Sequence, residues 1–185
     1  MSLVTKAAPD FRANAVMPDN SIEPFQLSSL RGKYVVLFFY PMDFTFVCPT
    51  ELIAFDNAIN RFKELNTELV SVSVDSEYSH YAWKQTERSK GGVGNLRFPM
   101  VSDFTKKISR DYGILVDEAV ALRGLFLIDK EGIVRHETIN DLPLGRNVEE
   151  ALRIVKALQF TEKYGEVCPA NWSDGAEGLK PTAEG

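Results

Sequence analysis

The chain has 185 residues, enough for one domain with a real core, and its 44% hydrophobic and 25% charged residues exclude wholesale disorder. A formal charge of −5 speaks against a polyanionic partner, so no nucleic acid is expected. No run approaches the roughly 18 apolar residues of a membrane span, so no membrane partner is expected either.

Residues 1–33 read as turn-rich, punctuated by Ala-Pro-Asp, Met-Pro-Asp-Asn and Arg-Gly-Lys, and the first residues lack the basic-then-apolar pattern of a secretory signal. KYVVLFFY (33–40) is a continuous apolar run and predicts a strand buried on both faces. PMDFTFV follows as a loop. From Pro49, the positions Leu52, Ile53, Phe55, Ala58, Ile59 and Phe62 recur at helical spacing and predict a helix ending near Asn66. ELVSVSVDS (68–76) predicts a second strand, 78–89 a helix, KGGVGN (90–95) a loop and 105–112 a short helix. LRGLFLID and GIVRHETI, joined by Lys-Glu-Gly, predict an antiparallel hairpin whose second strand, 133–139, can be a sheet edge. Asn147 opens a last long helix, NVEEALRIVKALQF, with Glu149 and Glu150 in its first turn. After Gly165 the chain is polar and Gly-rich apart from Val167, Cys168 and Trp172. This order predicts an α/β fold of thioredoxin-like architecture over 1–164, a mixed central sheet flanked by helices, followed by a C-terminal arm over 165–185.

Cys48 and Cys168 are the two cysteines, each in a Val-Cys-Pro triplet. Two cannot build a disulfide framework, and without a signal segment the expected compartment is the reducing cytosol, where a cysteine is ordinarily a small buried hydrophobe. Position 48 offers more. In an open α/β sheet the chemistry sits beyond the carboxyl ends of the strands, which is where the 41–47 loop lies. If Pro49 opens the helix, Cys48 sits at its N-cap or first turn, facing unpaired N–H groups and the positive end of the dipole. That favours thiolate by at most about 2 kcal/mol, and by about 0.3–1 at an exposed end, so a fast nucleophile wants a fixed cation as well. Arg123, between an apolar run and a glycine, is the best candidate.

Other chemistries fit poorly. A cysteine protease needs a histidine base, and His80 and His136 read as a helix-start and a strand-surface residue. There is no CxxC and no paired histidine for zinc, so no metal is expected. KGGVGN lacks the Lys-Ser/Thr ending of a phosphate loop. A thiolate without a base still attacks an electrophile with a good leaving group, and peroxides are such electrophiles.

FFYPMDFTFVCPTE resembles the active-site segment of the typical two-cysteine peroxiredoxins, whose P-x-x-x-T-x-x-C signature is met by Pro41, Thr45 and Cys48. The resemblance continues through SVDS, SHYAW, GGVG, TKKISRDYG, ALRGLFLID, HETINDLPLGR and GEVCPANW. It implies a thiol-dependent peroxidase, without cofactor, that reduces hydrogen peroxide and organic hydroperoxides. Cys48 would be the peroxidatic cysteine, oxidised to a sulfenic acid. Thr45 and Arg123 would hold the peroxide oxygens, and Pro41 would shield the sulfenic acid. Glu51 would orient Arg123, with Arg146 as its second partner, and Tyr40 would line the pocket, although Tyr40 also reads as strand core and Arg146 as a solvated loop residue. Cys168 would be the resolving cysteine, supplied by the other subunit of a homodimer, with five dimers closing into a decameric ring. The reductant would be thioredoxin or a dedicated flavoprotein reductase.

The resemblance also touches overoxidation. GGVG at 91–94 is similar to the GGLG of easily overoxidised members, but their C-terminal Tyr-Phe helix has no counterpart in SDGAEGLKPTAEG, so resistance is expected. A holdase chaperone and a redox-signalling adaptor are further functions that some family members imply.

Overall fold

The computed structural model describes residues 1–183. Contacts divide the chain into two compact units, Met1–Arg146 and a second from Asn147 onward. The first unit is built on a seven-stranded mixed sheet. Its strands are β1 (Arg12–Val16), β2 (Ile22–Gln26), β3 (Tyr34–Phe39), β4 (Thr67–Ser73), β5 (Met100–Ser102), β8 (Arg123–Ile128) and β9 (Val134–Asn140), in the order β2-β1-β5-β4-β3-β8-β9. A separate ribbon pairs β6 (Leu115–Val116) with β7 (Val120–Ala121). β3 runs parallel to β4, and β4 to β5; the pairs that reach the edges are antiparallel.

All six residues of β3 are buried, as its unbroken apolar run predicts. Val35, Leu37 and Phe39 point into one core layer with Val70, Val72, Phe126 and Tyr112; Phe39 meets the Tyr112 ring at 5.2 Å. On the other face Phe38 stacks on Phe55 of α1 (Cys48–Asn57) at 4.3 Å, and Tyr40 leans on Trp83 of α3 (Glu77–Gln85) at 5.9 Å. Truncating a buried ring of this kind costs about 3–5 kcal/mol, so these contacts fix where α1, and hence Cys48, sits on the sheet.

Three local expectations are corrected. The turn-rich residues 1–33 contain the β1–β2 hairpin, with Pro24 tolerated because β2 is an edge strand. The helix expected to run from Pro49 to Asn66 is two helices, α1 and α2 (Ile59–Glu64), broken at Ala58, whose ψ of 2° is not helical. The helix expected over 78–89 ends at Gln85, and the short one at 105–112 is α4 (Lys107–Asp111).

In the second unit α5 (Val148–Tyr164) starts as expected: the Asn147 side chain accepts from the Glu150 N–H at 3.2 Å. It stops at Gly165, whose φ of 67° is left-handed. Beyond it, Val167 and Leu179 form an isolated bridge and Trp172 packs on Phe160 at 5.0 Å. No helix among the described residues is long and apolar enough to cross a membrane.

Candidate active site

Cys48 is the first residue of α1 and Pro49 the second, at the carboxyl end of β3. No side chain caps this helix, since Val47 stands at the cap position and Thr50 donates its hydroxyl back to the Val47 carbonyl. Cys48 is 1% exposed. It is not a mere hydrophobic filler, because Arg123 Nη1 donates to it at 3.4 Å.

The same Nη1 donates to Glu51 Oε1 at 2.7 Å, and Arg123 Nε donates to the Leu142 carbonyl at 2.7 Å. Glu51, on the first turn of α1, carries a second arginine. Arg146 reaches Oε2 with Nε at 2.7 Å and with its backbone N–H at 2.8 Å, and Oε1 with Nη2 at 3.0 Å. Its Nη1 donates to the Gly124 carbonyl, and its guanidinium lies over the Phe38 ring at 5.4 Å. All three side chains are no more than 4% exposed. Burial acts to raise the Glu51 carboxyl, but the hydrogen bonds and charge of Arg146, with the charge of Arg123, outweigh it and hold the group below its usual range. Two buried cations against one carboxylate leave a positive charge for the sulfur. The expected cation is thus in place, and Arg146 is buried rather than solvated.

Pro41 is buried at the start of the loop. Thr45 donates its hydroxyl proton to the Met42 carbonyl at 2.9 Å, which leaves its oxygen free to accept from a bound molecule. Tyr40 faces elsewhere: its hydroxyl donates to Asp43 Oδ1 at 2.6 Å and lies 3.3 Å from His80 Nδ1. Tyr40 is part of a cluster that the sequence did not announce. His80 Nδ1 stands 2.7 Å from Asp43 Oδ2 and its Nε2 3.0 Å from the Val101 carbonyl, so both ring nitrogens face acceptors. Burial lowers the His80 pKa, but the hydrogen bond and charge of Asp43, with the Val101 carbonyl, raise it on balance. Asp75 accepts from the Asp43 backbone N–H at 2.9 Å and is itself pushed up by burial and by Asp43. His80 is thus a fully buried clasp on the 41–47 loop rather than a plain helix-start residue. The one available signal was Asp43 in the loop with SHYAW downstream, two ordinary-looking segments far apart in sequence.

Cys168, in the second unit, is half-buried with its sulfur 3.7 Å from the Ala157 carbonyl. Burial holds its thiol up, and Arg153 pulls the other way. Arg153 also donates to the Trp172 carbonyl at 2.8 Å, tying the segment after Cys168 to α5. Both cysteines are free thiols.

Known proteins match this arrangement along the whole chain. The AhpC/TSA family profile matches residues 4–137, and that of the C-terminal domain of 1-Cys peroxiredoxin matches 157–185. Alkyl hydroperoxide reductase C of Helicobacter pylori is 58% identical over 185 residues, covering 99% of this chain and 93% of that protein. The mitochondrial thioredoxin-dependent peroxide reductase of Drosophila melanogaster is 54% identical, covering 98% and 78% respectively. The crystal structure of reduced Plasmodium vivax 2-Cys peroxiredoxin superposes with a TM-score of 0.98 at 52% identity, covering 100% of this chain and 96% of that one. The chain belongs to the AhpC/TSA family and is a peroxiredoxin, a thiol-dependent peroxidase.

Proposed function

We propose that Cys48 is the sulfur that reacts with peroxide, and the observation that carries this is the single guanidinium nitrogen of Arg123 shared between Cys48 Sγ and Glu51. The Cys48 thiolate attacks one peroxide oxygen. An S–O bond forms, the O–O bond breaks, and its electron pair leaves on the second oxygen, which takes a proton and departs as water or an alcohol. Arg123 donates to the peroxide and to charge developing on the leaving oxygen, held in place beforehand by Leu142 and Glu51. Thr45, whose own proton is committed to Met42, accepts from the peroxide O–H. Pro41 covers the resulting sulfenic acid.

Cys168 of a second copy then condenses with the sulfenic acid, releasing water and forming a Cys48–Cys168 disulfide. Two electrons from a dithiol reductant restore both thiols. Thioredoxin is favoured by the name of the Drosophila relative, and a dedicated flavoprotein reductase is the alternative. Homodimers through the β9 edge and a decameric ring through the 41–47 loop are the assembly proposed, supported by the edge position of β9 and by Phe44 and Phe46, 53% and 94% exposed. The cytosol is the proposed compartment.

Peroxide-dependent NADPH or NADH oxidation with each reductase system tests this reading. Cys48→Ser is expected to abolish turnover, and Cys168→Ser to reduce one equivalent of peroxide and stall. A non-reducing gel should show a disulfide-linked dimer after peroxide, missing from either variant. Normal thioredoxin-supported turnover by Cys168→Ser would show the resolving role to be wrong.

A further inference from the structure

The two ends of α1 are held by separate ion clusters, and the chemistry above uses only the first. About two turns beyond Cys48 lies Asp56, 5% exposed. Its Oδ1 accepts from the Arg97 backbone N–H at 2.9 Å and from Arg97 Nε at 3.2 Å, and its Oδ2 accepts from Arg88 Nη2 at 3.3 Å. The Asp56 carbonyl accepts from Arg97 Nη2 at 2.7 Å, so one residue is gripped through both side chain and backbone. Arg88 Nε donates in turn to the Val93 carbonyl at 3.0 Å, inside the GGVG segment. That segment is a firm anchor: Val93 is fully buried, Trp83 Nε1 donates to the Gly91 carbonyl at 2.9 Å, and a Cβ on Gly92 would fall 1.9 Å from the Thr86 oxygen.

The inference rests on the reading of Cys48 as the reacting sulfur. With Cys48 1% exposed, its sulfur cannot bond to a thiol of another copy without leaving its pocket, so the first turn of α1 must open. Residues 52–55, Leu-Ile-Ala-Phe, contain no glycine or proline at which the helix would break, and the buried Leu52 and Phe55 oppose further unwinding by packing alone. We propose that Asp56, clamped by Arg88 and Arg97, completes the stop that the packing of Leu52 and Phe55 begins: it keeps α1 fixed from Asp56 onward and thereby sets how readily Cys48 is released. The clamp is made in both the closed and the opened helix, but only the opened helix is restricted by it. Its loss gives the opened state more conformational freedom and shifts the equilibrium toward opening. Asp56, Arg88 and Arg97 are thus positioning residues; none contacts the sulfur.

The test uses the full chain with Arg88→Gln, whose site is 42% exposed, and Asp56→Asn. The rate of Cys48 oxidation should match the parent, because Glu51, Arg123 and Arg146 are untouched. In the disulfide form, amide exchange over 52–57 should be slow in the parent and fast in both variants, while in the reduced form, where the closed helix dominates, the variants should exceed the parent by no more than the shift in opening, about threefold. The sulfinic fraction at fixed peroxide should fall about threefold in the variants. Equal exchange over 52–57 in all disulfide forms would overturn the proposal, as would protection lost equally in both redox forms, which marks general destabilisation. Arg88→Gln decides alone if Asp56→Asn does not fold. A parent protein whose Cys48 ignores peroxide would sink the peroxidase reading first, before any variant is compared.

Discussion

At the scale of single residues, Glu51 decides the site, because one carboxylate neutralises one of two buried arginines and aims both. Removing one partner of a buried ion pair costs about 3–5 kcal/mol, since the partner's charge is left unpaired. Glu51→Gln keeps the shape and loses the charge. It is expected to lower stability by an amount in that range and peroxide reactivity by about a hundredfold, through misaimed Arg123 donors. The pH dependence has a definite sign. The folded carboxyl lies below its ordinary 4.5, so its contribution is complete above that value and is lost as pH falls through the folded one. Urea unfolding against pH should therefore show an acid limb below about pH 4.5 that is flatter in Glu51→Gln. Parallel limbs in parent and variant would remove Glu51 from this role.

Among the elements, the 41–47 loop is held by Asp43, which joins Tyr40, Ser79, His80 and the Asp75 side chain. His80 titrates above its ordinary 6.5, so its clasp is complete below that pH and weakens as pH rises through the folded value. Asp75 and Tyr40, both raised by burial and by Asp43, face the same group, and Tyr40 is held well above its ordinary 10.0. In a Trp172→Phe background, Trp83 fluorescence reports the loop through its contacts with Tyr40 and Phe44. An alkaline step above pH 6.5 is expected, and His80→Gln should erase it. A step that persists in the variant would assign the titration elsewhere. This clasp shows where the sequence stops being legible. β3 was readable because burial on both faces leaves an unbroken apolar run, and Arg123 because a charge interrupts one. Asp43 and His80 carry no such local mark; only the fold brings them together. The break at Ala58 was hidden because apolar spacing continues through it, and the β1–β2 hairpin because its turn and Pro24 read as loop.

For the whole molecule, the consequence of these parts is a competition. On the proposed role of Cys48, the first peroxide leaves it two courses: to quit its pocket and form a disulfide, or to meet a second peroxide and become sulfinic acid. Whatever packs over the first turn of α1 raises the cost of leaving and favours the second outcome. The described residues after Trp172 offer little for such packing: they form no helix, and Ala176 and Leu179 are exposed. Their attachments include the Val167–Leu179 bridge, the Lys156–Asp174 ion pair at 3.3 Å and the Trp172 indole, whose Nε1 donates to the Ala176 carbonyl at 3.1 Å. Little apolar area is therefore available to pin the turn. The GGVG segment is ordered, but its link to α1 runs through Arg88 to Asp56, at the far end from Cys48. Rapid disulfide formation is expected, with little sulfinic acid formed during turnover. Intact-mass spectrometry during turnover measures the two products directly, as a disulfide-linked dimer against a chain gaining two oxygens. Substantial sulfinic acid on Cys48 at submillimolar peroxide would mean that the first turn of α1 is pinned more firmly than the described residues after Trp172 allow.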